Sequence, residues 1–168
     1  DAPAPIKPEQ TLVADITYVT SKQGTHYLSL VTDGYSRQIM GYHLSESMPA
    51  TEVVKALKMA AQRRRYTHKA IHHSDRGLQY CASEYQEALR VNNIKPSMTD
   101  GYDCYQNALA ERVNGILKNE FLLYECNTMS ELKQLIDESV YVYNNIRPHL
   151  SLNMRTPAEV HDGYLCPA

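Results

Sequence analysis

The chain has 168 residues, 43% of them hydrophobic, and a formal net charge of −2 at neutral pH. This length suits a single compact domain with a sizeable core, and no run of about 18 apolar residues is present that could span a membrane. The slightly negative charge argues against a dedicated nucleic-acid-binding module, for which an isoelectric point above about 9 is typical. Four widely spaced cysteines without a C-x-x-C pair exclude a zinc knuckle and a disulfide framework. The first residues lack the pattern of a secretion signal, so we expect a cytoplasmic protein.

Three β-rich stretches follow a short N-terminal segment. Residues 1–10 contain three prolines and are predicted to form a linker. The stretches from about Thr11 to Val19, Thr25 to Thr32 and Arg37 to Leu44 are separated by short turns that contain glycine. They predict a three-stranded antiparallel meander.

Helical and strand patterns alternate in the middle of the chain. Apolar residues recur at helical spacing from about Ala50 to Arg64, which predicts a helix. A short strand, Ala70 to His73, precedes a helix that a capping box of Ser83 and Gln86 is predicted to begin. A fifth strand is predicted at Lys95 to Met98.

Three further helices are predicted in the last third of the chain. Their start signals are the capping pairs Asp103/Gln106, Thr128/Glu131 and Thr156/Glu159, and the first two helices reach about Leu122 and Asn144. The element order βββαβαβααα predicts an α/β fold with a mixed five-stranded sheet flanked by helices, in which three antiparallel strands are followed by parallel strands.

Three acidic residues occur where carboxylates from separate elements can converge. Asp15 lies in the apolar first strand, where a charge without a partner is costly. Asp75 follows the fourth strand, at the kind of strand end where sheet enzymes place ligands. Glu111 lies inside the helix that Asp103 begins. Hard cations such as Mg²⁺ prefer oxygen ligands, and two-metal phosphoryl transfer needs several carboxylates around the ions. Each residue alone is more often structural, so the prediction depends on their spacing.

The predicted helix around Glu111 has one polar face. At about 100° per residue, Asn107, Glu111, Asn114 and Lys118 share a stripe opposite the apolar residues. Such a face can supply a metal ligand and contacts to DNA phosphates.

The acidic triad has a recognisable spacing. Asp75 and Glu111 are separated by 35 residues, and with Asp15 they match the D, D(35)E pattern of retroviral integrases and of bacterial insertion-sequence transposases of the IS-three type. Further stretches that resemble this family are Asp15-Ile16-Thr17-Tyr18, Ser36-Arg37, His73-Ser74-Asp75-Arg76-Gly77 with Gln79-Tyr80, Asn107-Ala108 followed by Glu111, Tyr143-Asn144, Arg147-Pro148-His149 and Thr156-Pro157-Ala158-Glu159. The resemblance covers the chain almost end to end.

The resemblance implies a fold, a reaction and a set of partners. It implies a ribonuclease H-like fold, with residues 11–125 as the integrase catalytic core and residues 126–168 as a C-terminal helical extension of the same domain. It implies Mg²⁺-dependent (or Mn²⁺-dependent) DNA cleavage and strand transfer, with two ions held by Asp15, Asp75 and Glu111. The implied partners are DNA and further copies of the chain in a synaptic complex, without a membrane or a small-molecule substrate, and the implied location is the bacterial nucleoid. The residues expected to contact DNA are Lys118, Asn107, Asn114, Arg76, His73 and Arg112.

Several alternatives stay open on the sequence. The chain could be a nuclease of the same fold without strand transfer, or a non-catalytic transposase-derived module for DNA binding or assembly. The basic run Arg63-Arg64-Arg65 could contact a DNA backbone, or it could complement the dipole of a helix C-terminus. Asp33 is most simply a turn former, and it is the first alternative if one of the three ligands is wrong.

Overall fold

The computed structural model describes residues 4–75, 77–97 and 104–164. Its strands are β1 (Thr11–Ser21), β2 (Gly24–Asp33), β3 (Ile39–Ser45), β4 (Ala70–His73) and β5 (Ile94–Pro96). Its α-helices are α1 (Ala50–Arg63), α2 (Leu78–Cys81), α3 (Ser83–Val91), α4 (Cys104–Ile116), α5 (Met129–Asn145) and α6 (Pro157–Gly163). A π-helical turn, Leu117–Phe121, continues α4, and a 3₁₀ turn, Leu150–Leu152, precedes α6. No helix within the described ranges has the length and apolar character that a bilayer crossing requires.

The five strands form one mixed sheet in the order β3-β2-β1-β4-β5. The pairs β1–β2 and β2–β3 are antiparallel, whereas β1–β4 and β4–β5 are parallel. This arrangement confirms the predicted α/β fold, with an antiparallel meander followed by parallel strands. The parallel strand β4 lies beside β1, the first strand in sequence, and not beside β3.

Helices cover both faces of the sheet, and alternation along β1 divides the core between them. Leu12 and Ala14 pack with α1, α3 and β5 in one apolar cluster. Val13 and Val19 pack with α4 and α5 in a second cluster on the opposite face. Successive strand residues point to opposite faces, so Asp15 shares its face with Val13 and is directed towards α4.

Two of the predicted caps are confirmed, and one is wrong. The hydroxyls of Thr128 and Thr156 accept hydrogen bonds from the backbone N–H groups of Glu131 and Glu159, as predicted. Ser83 does not cap α3, because a single residue, Ala82, separates α2 from α3 and takes the extended N-cap conformation itself.

Three element boundaries differ from the prediction or are not described. Asp103, the predicted cap of α4, lies outside the described residues, as does Met98 at the end of the predicted fifth strand. The fifth strand is observed at Ile94–Pro96 and so begins one residue earlier than predicted. The predicted helix to Leu122 is α-helical only as far as Ile116. The backbone then changes to the i→i+5 hydrogen bonds of a π-helix, and the Leu122 N–H donates such a bond of 2.8 Å to the Leu117 C=O.

A buried polar network joins the N-terminal segment to α6. Glu9 and His161 are fully buried and form an ion pair of 2.9 Å between Oε2 and Nε2. Arg64 donates from Nε to Glu9 (3.1 Å), and the Oδ1 of Asp33 accepts from the Glu9 N–H (2.7 Å). Ser36 donates to Asp33 and contacts Nδ1 of His161 at 2.8 Å. Thus the end of the predicted linker is packed into the domain, and Asp33 is both a turn former and part of this network.

The basic run at the end of α1 is used within the domain. Arg64 has only 9% of its side chain exposed and binds Glu9, while Arg65 pairs with Asp162 at 2.5 Å. The guanidinium of Arg63 lies 5.8 Å from the centre of the Tyr42 ring. These contacts favour the structural interpretation of the run over a DNA-backbone patch.

Gly41 should not tolerate a side chain. A Cβ at this position would lie 2.0 Å from the carbonyl oxygen of Ala56 and 2.9 Å from the amide nitrogen of Ala60, so β3 and α1 would have to separate. We expect Gly41→Ala to lower the free energy of unfolding by about 3 kcal/mol or more, measured by denaturant unfolding. Gly163→Ala is the matched control, because a Cβ there meets no atom within 4 Å and should leave stability nearly unchanged.

The stability of the fold should decline as the pH rises towards 9. Burial opposes the charge of His161, but the carboxylates of Asp33 and Glu9 outweigh it and raise the His161 pKa from 6.5 to about 9. The contribution of this raised pKa is complete below pH 6.5 and is lost as the pH rises through about 9, a change on the order of 3 kcal/mol. Thermal unfolding of the wild type should show this decline, and His161→Gln should abolish it. His43→Gln should retain the decline, and a flat wild-type profile would show that His161 is neutral.

Candidate active site

The parallel pairing of β1 and β4 brings two aspartates together. The last registered pair is Val13 with His73, and Asp15 and Asp75 each lie two residues further along their chains. Because parallel strands advance in the same direction by the same rise, both carboxylates lie at the same level of the sheet. Asp15 is half-buried within β1, whereas Asp75 is exposed just beyond the end of β4.

The environment of Asp15 disfavours its negative charge. Burial, with a further contribution from the charge of Asp75, raises the pKa of Asp15 above its ordinary value. A hydrogen bond from Nδ2 of Asn114 to Oδ2 of Asp15, the Ile16 backbone and the charge of Lys118 oppose this rise without cancelling it. The side chains around Asp15 therefore leave negative charge uncompensated, and a bound cation would relieve it.

Asp75 is held by a local turn. Its Oδ1 accepts a hydrogen bond of 3.0 Å from the backbone N–H of Gly77, which is typical of an Asx turn. A Cβ at Gly77 would lie 3.0 Å from that oxygen and 2.9 Å from Oε1 of Gln79, so the turn is compact around the carboxylate. Arg76, between them, lies outside the described residues.

Tyr80 lies near the aspartate pair, although it was not among the predicted site residues. Its ring is buried on α2, and its pKa is raised by burial and by the charges of Tyr85, Asp15 and Asp75. Its hydroxyl has no hydrogen-bond partner among the described residues. In the sequence this position belongs to the family-like stretch around Asp75, together with Gln79, but no role was predicted for it.

Glu111 lies beside the aspartate pair but is not joined to it. It is exposed on α4, three residues before Asn114, and thus about one helical turn from the side chain that contacts Asp15. Within the described part of the chain, no three His, Cys, Asp or Glu side chains are grouped closely enough to hold a metal ion. The structure therefore brings Asp15 and Asp75 together and leaves Glu111 on the adjacent turn.

The residues expected to contact DNA lie in different surroundings. Lys118 is exposed in the π-helical turn, and its charge acts on Asp15. Asn107 is half-exposed and Arg112 is exposed on α4. His73 is buried at the end of β4, and one amide hydrogen of Asn114 is engaged by Asp15.

Two models of one family match most of the chain. Both are described as integrase core domain, and they match residues 5–104 and 92–157.

Proteins encoded by bacterial insertion sequences are similar to the chain over much of its length. An uncharacterized 31 kDa protein of insertion element IS600 from Shigella sonnei is 39% identical over 96% of this chain and 60% of its own length. Transposase InsF for insertion sequence IS3A from Escherichia coli is 40% identical over 67% of this chain and 39% of its own length. The chain thus spans 60% or less of the length of these relatives.

Solved viral structures share the fold at low sequence identity. The HTLV-2 integrase catalytic core domain in complex with magnesium superposes with a TM-score of 0.76 at 21% identity, covering 93% of this chain and 98% of that chain. The simian T-cell lymphotropic virus intasome in complex with a PP2A regulatory subunit superposes with a TM-score of 0.82 at 19% identity, covering all of this chain and 59% of the viral one. The fold is ribonuclease H-like, as the resemblance implied. The matching family models and the insertion-sequence relatives together establish that the chain belongs to the integrase core domain family.

Proposed function

We propose that this chain catalyses metal-dependent DNA cleavage and strand transfer, with Asp15, Asp75 and Glu111 as its catalytic residues. The observation that carries the proposal is the adjacency of Asp15, within β1, and Asp75, just beyond the end of the parallel strand β4. This is the part of an open sheet at which ligands commonly bind. The family and the insertion-sequence relatives support DNA as the substrate.

Divalent cations suit the site. Two carboxylates that form no ion pair with another described residue provide the oxygen ligands that Mg²⁺ and Mn²⁺ prefer, and the raised pKa of Asp15 is a sign of the charge that a cation would offset. Asp15 and Asp75 would hold the ions, two in number for this kind of reaction, and Glu111 would complete the ligand set from α4. Bound ions of this kind activate a nucleophile and stabilise the leaving oxygen in phosphoryl transfer.

Residues around the carboxylates would position these ligands and the DNA. Asn114 holds the Asp15 carboxylate by its hydrogen bond and would fix its orientation. Lys118 and Asn107, on the same side of α4, would contact phosphates of the strand to be cut. Arg76 is a further proposed phosphate contact beside Asp75, and Arg112 is one on another side of α4. His73 is buried, so it would act by supporting the turn that carries Asp75.

The working assembly is proposed to be an oligomer on bacterial DNA. The HTLV-2 integrase core is described in a trimeric and in a dimeric form, and the simian viral neighbour is part of an intasome. The relatives come from bacterial insertion sequences. We propose that copies of this chain assemble on the element ends in a synaptic complex, in the bacterial cytoplasm at the nucleoid.

Metal binding should be measurable without activity. Mn²⁺ at about 100 times its dissociation constant should stabilise the wild type by about 2.7 kcal/mol, which corresponds to roughly 5–10 °C in the unfolding temperature. Asp15→Asn and Asp75→Asn should each reduce this rise. Asp15→Asn should also raise the unfolding temperature of the metal-free protein, because it removes a disfavoured charge. Glu138→Gln, an exposed position on α5, is the matched control, and an equal rise in Asp15→Asn would contradict the assignment.

The reaction itself can be tested on DNA that carries the ends of the insertion element. We expect Mg²⁺-dependent cleavage and joined products from the wild type, and a loss of at least about 100-fold in Asp15→Asn, Asp75→Asn and Glu111→Gln, because each removes charge that holds the ions. Glu138→Gln should retain the wild-type rate. Cleavage without joined products would favour the nuclease alternative, and DNA binding without cleavage would favour the non-catalytic module.

A further inference from the structure

An open groove lies along the side of α4 that faces away from the aspartate pair. It has a volume of about 580 Å³, and its walls include Arg37, Tyr105, Arg112, Arg147, His149 and Met154. On α4, positions 105 and 112 are about 100° or more around the helix axis from positions 107, 111 and 114. The groove is therefore a surface separate from the carboxylates.

Positive charge is concentrated in this groove. Arg112 and Arg37 have no side-chain hydrogen bond or ion pair with any other described residue, whereas Arg147 is held by Glu120 through Nε (2.5 Å) and a terminal nitrogen (2.9 Å). The peptide oxygen of Arg37 accepts a hydrogen bond of 2.8 Å from the Tyr143 hydroxyl, which fixes its backbone at the edge of the groove. Three arginines and one carboxylate leave a clear positive excess, in a chain whose overall charge is −2.

His149 supplies a second, independent sign of a ligand. It is only 5% exposed, and its Nε2 has no hydrogen-bond partner among the described residues. Buried polar atoms usually have such a partner. Burial, followed by the charges of Arg147, Arg37 and Arg112, lowers the pKa of His149 to about 4, so the imidazole is neutral at physiological pH. The ring is fixed by edge-to-face packing on Tyr143, with the ring centres 5.1 Å apart.

We propose that this groove binds a phosphate group of a DNA backbone, through Arg37 and Arg112, at a site separate from the carboxylate pair. The inference rests on the proposed function, because it takes DNA to be the partner. Guanidinium groups bind phosphate oxygens in pairs of hydrogen bonds, and a neutral imidazole can donate one more. Since the α4 helix with its side chains is about 10–12 Å thick, DNA engaged at the carboxylates comes within reach of the groove. Both sides of α4 would then contact DNA.

The salt dependence of DNA binding tests this site without catalysis. Binding of a short random-sequence duplex is measured in EDTA over a range of salt concentrations, with the wild type and with Arg37→Gln/Arg112→Gln. Each lost phosphate contact should reduce the slope of log K against log salt by about 0.9, so the double variant should lose roughly 1.8. Arg112→Gln alone should reduce the slope by about 0.9. Because Arg112 is exposed on α4, this single variant serves as the test if the double variant does not fold.

The control removes the same charge elsewhere. Lys55→Gln/Lys133→Gln neutralises two exposed lysines that pair with Glu52 and Asp137 and do not line the groove, and it should leave the slope unchanged. An unchanged slope in the arginine variant, an equal fall in the lysine variant, or a wild type that binds no duplex would each overturn the proposal. Binding of poly-glutamate through these arginines with an unchanged DNA slope would also overturn it, in favour of an acidic protein partner.

The two proposals can fail separately. A wild type that cleaves DNA while the arginine variant keeps its slope would exclude the groove as a phosphate site and leave the proposed function intact. A reduced slope in the arginine variant, with no metal-dependent cleavage by the wild type, would support the groove and contradict the proposed catalysis.

Discussion

The parallel pairing of β1 with β4 is the constraint on which the candidate site depends. It places Asp15 and Asp75 at one level of the sheet, although 59 residues separate them in the chain. The pairing requires the chain to leave β3, cross one face of the sheet as α1 and return beside β1, and the close approach of Gly41 to α1 belongs to this crossover. Alternation along β1 then directs Asp15 towards α4 and away from the apolar cluster around α1.

This arrangement places two negative charges, those of Asp15 and Asp75, close together, which destabilises the site when no cation is bound. Burial within β1 disfavours the charged form of Asp15, and the negative charge of Asp75 disfavours it further. Asn114 and Lys118 from α4 and its π-helical continuation offset part of it. Irregular π-helical turns occur often at functional sites, and here the turn begins three residues after Asn114, which contacts Asp15. A cation would remove the remaining repulsion, which is why the same geometry supports metal binding.

The rest of the domain keeps these elements in place. Asn144 on α5 bonds both the N–H and the C=O of Ile39, each at 2.9 Å, and so satisfies backbone groups of the edge strand β3. The network of Glu9, Arg64 and His161 ties the segment before β1 to α6. Two of the family-like stretches thus have structural roles. Tyr143 and Asn144 hydrogen-bond the backbone at and just before β3, and Thr156 in Thr156-Pro157-Ala158-Glu159 caps α6.

The sequence by itself determined the order of the strands and longer helices, the mixed sheet and two helix caps, because these follow from local periodicity and capping chemistry. It also supplied the three candidate carboxylates through their spacing, and their catalytic role stays a prediction. Only the tertiary structure decided which side chains meet. That Asn114 contacts Asp15, that Tyr80 lies near the carboxylates and that Asp33 and Glu9 share a buried histidine all depend on pairs distant in the chain. The misplaced cap at Ser83 has a similar cause, since the short helix α2 before it was not evident from periodicity. Contacts between distant residues arise from packing the two helical layers on the sheet, and local patterns carry no information about that packing.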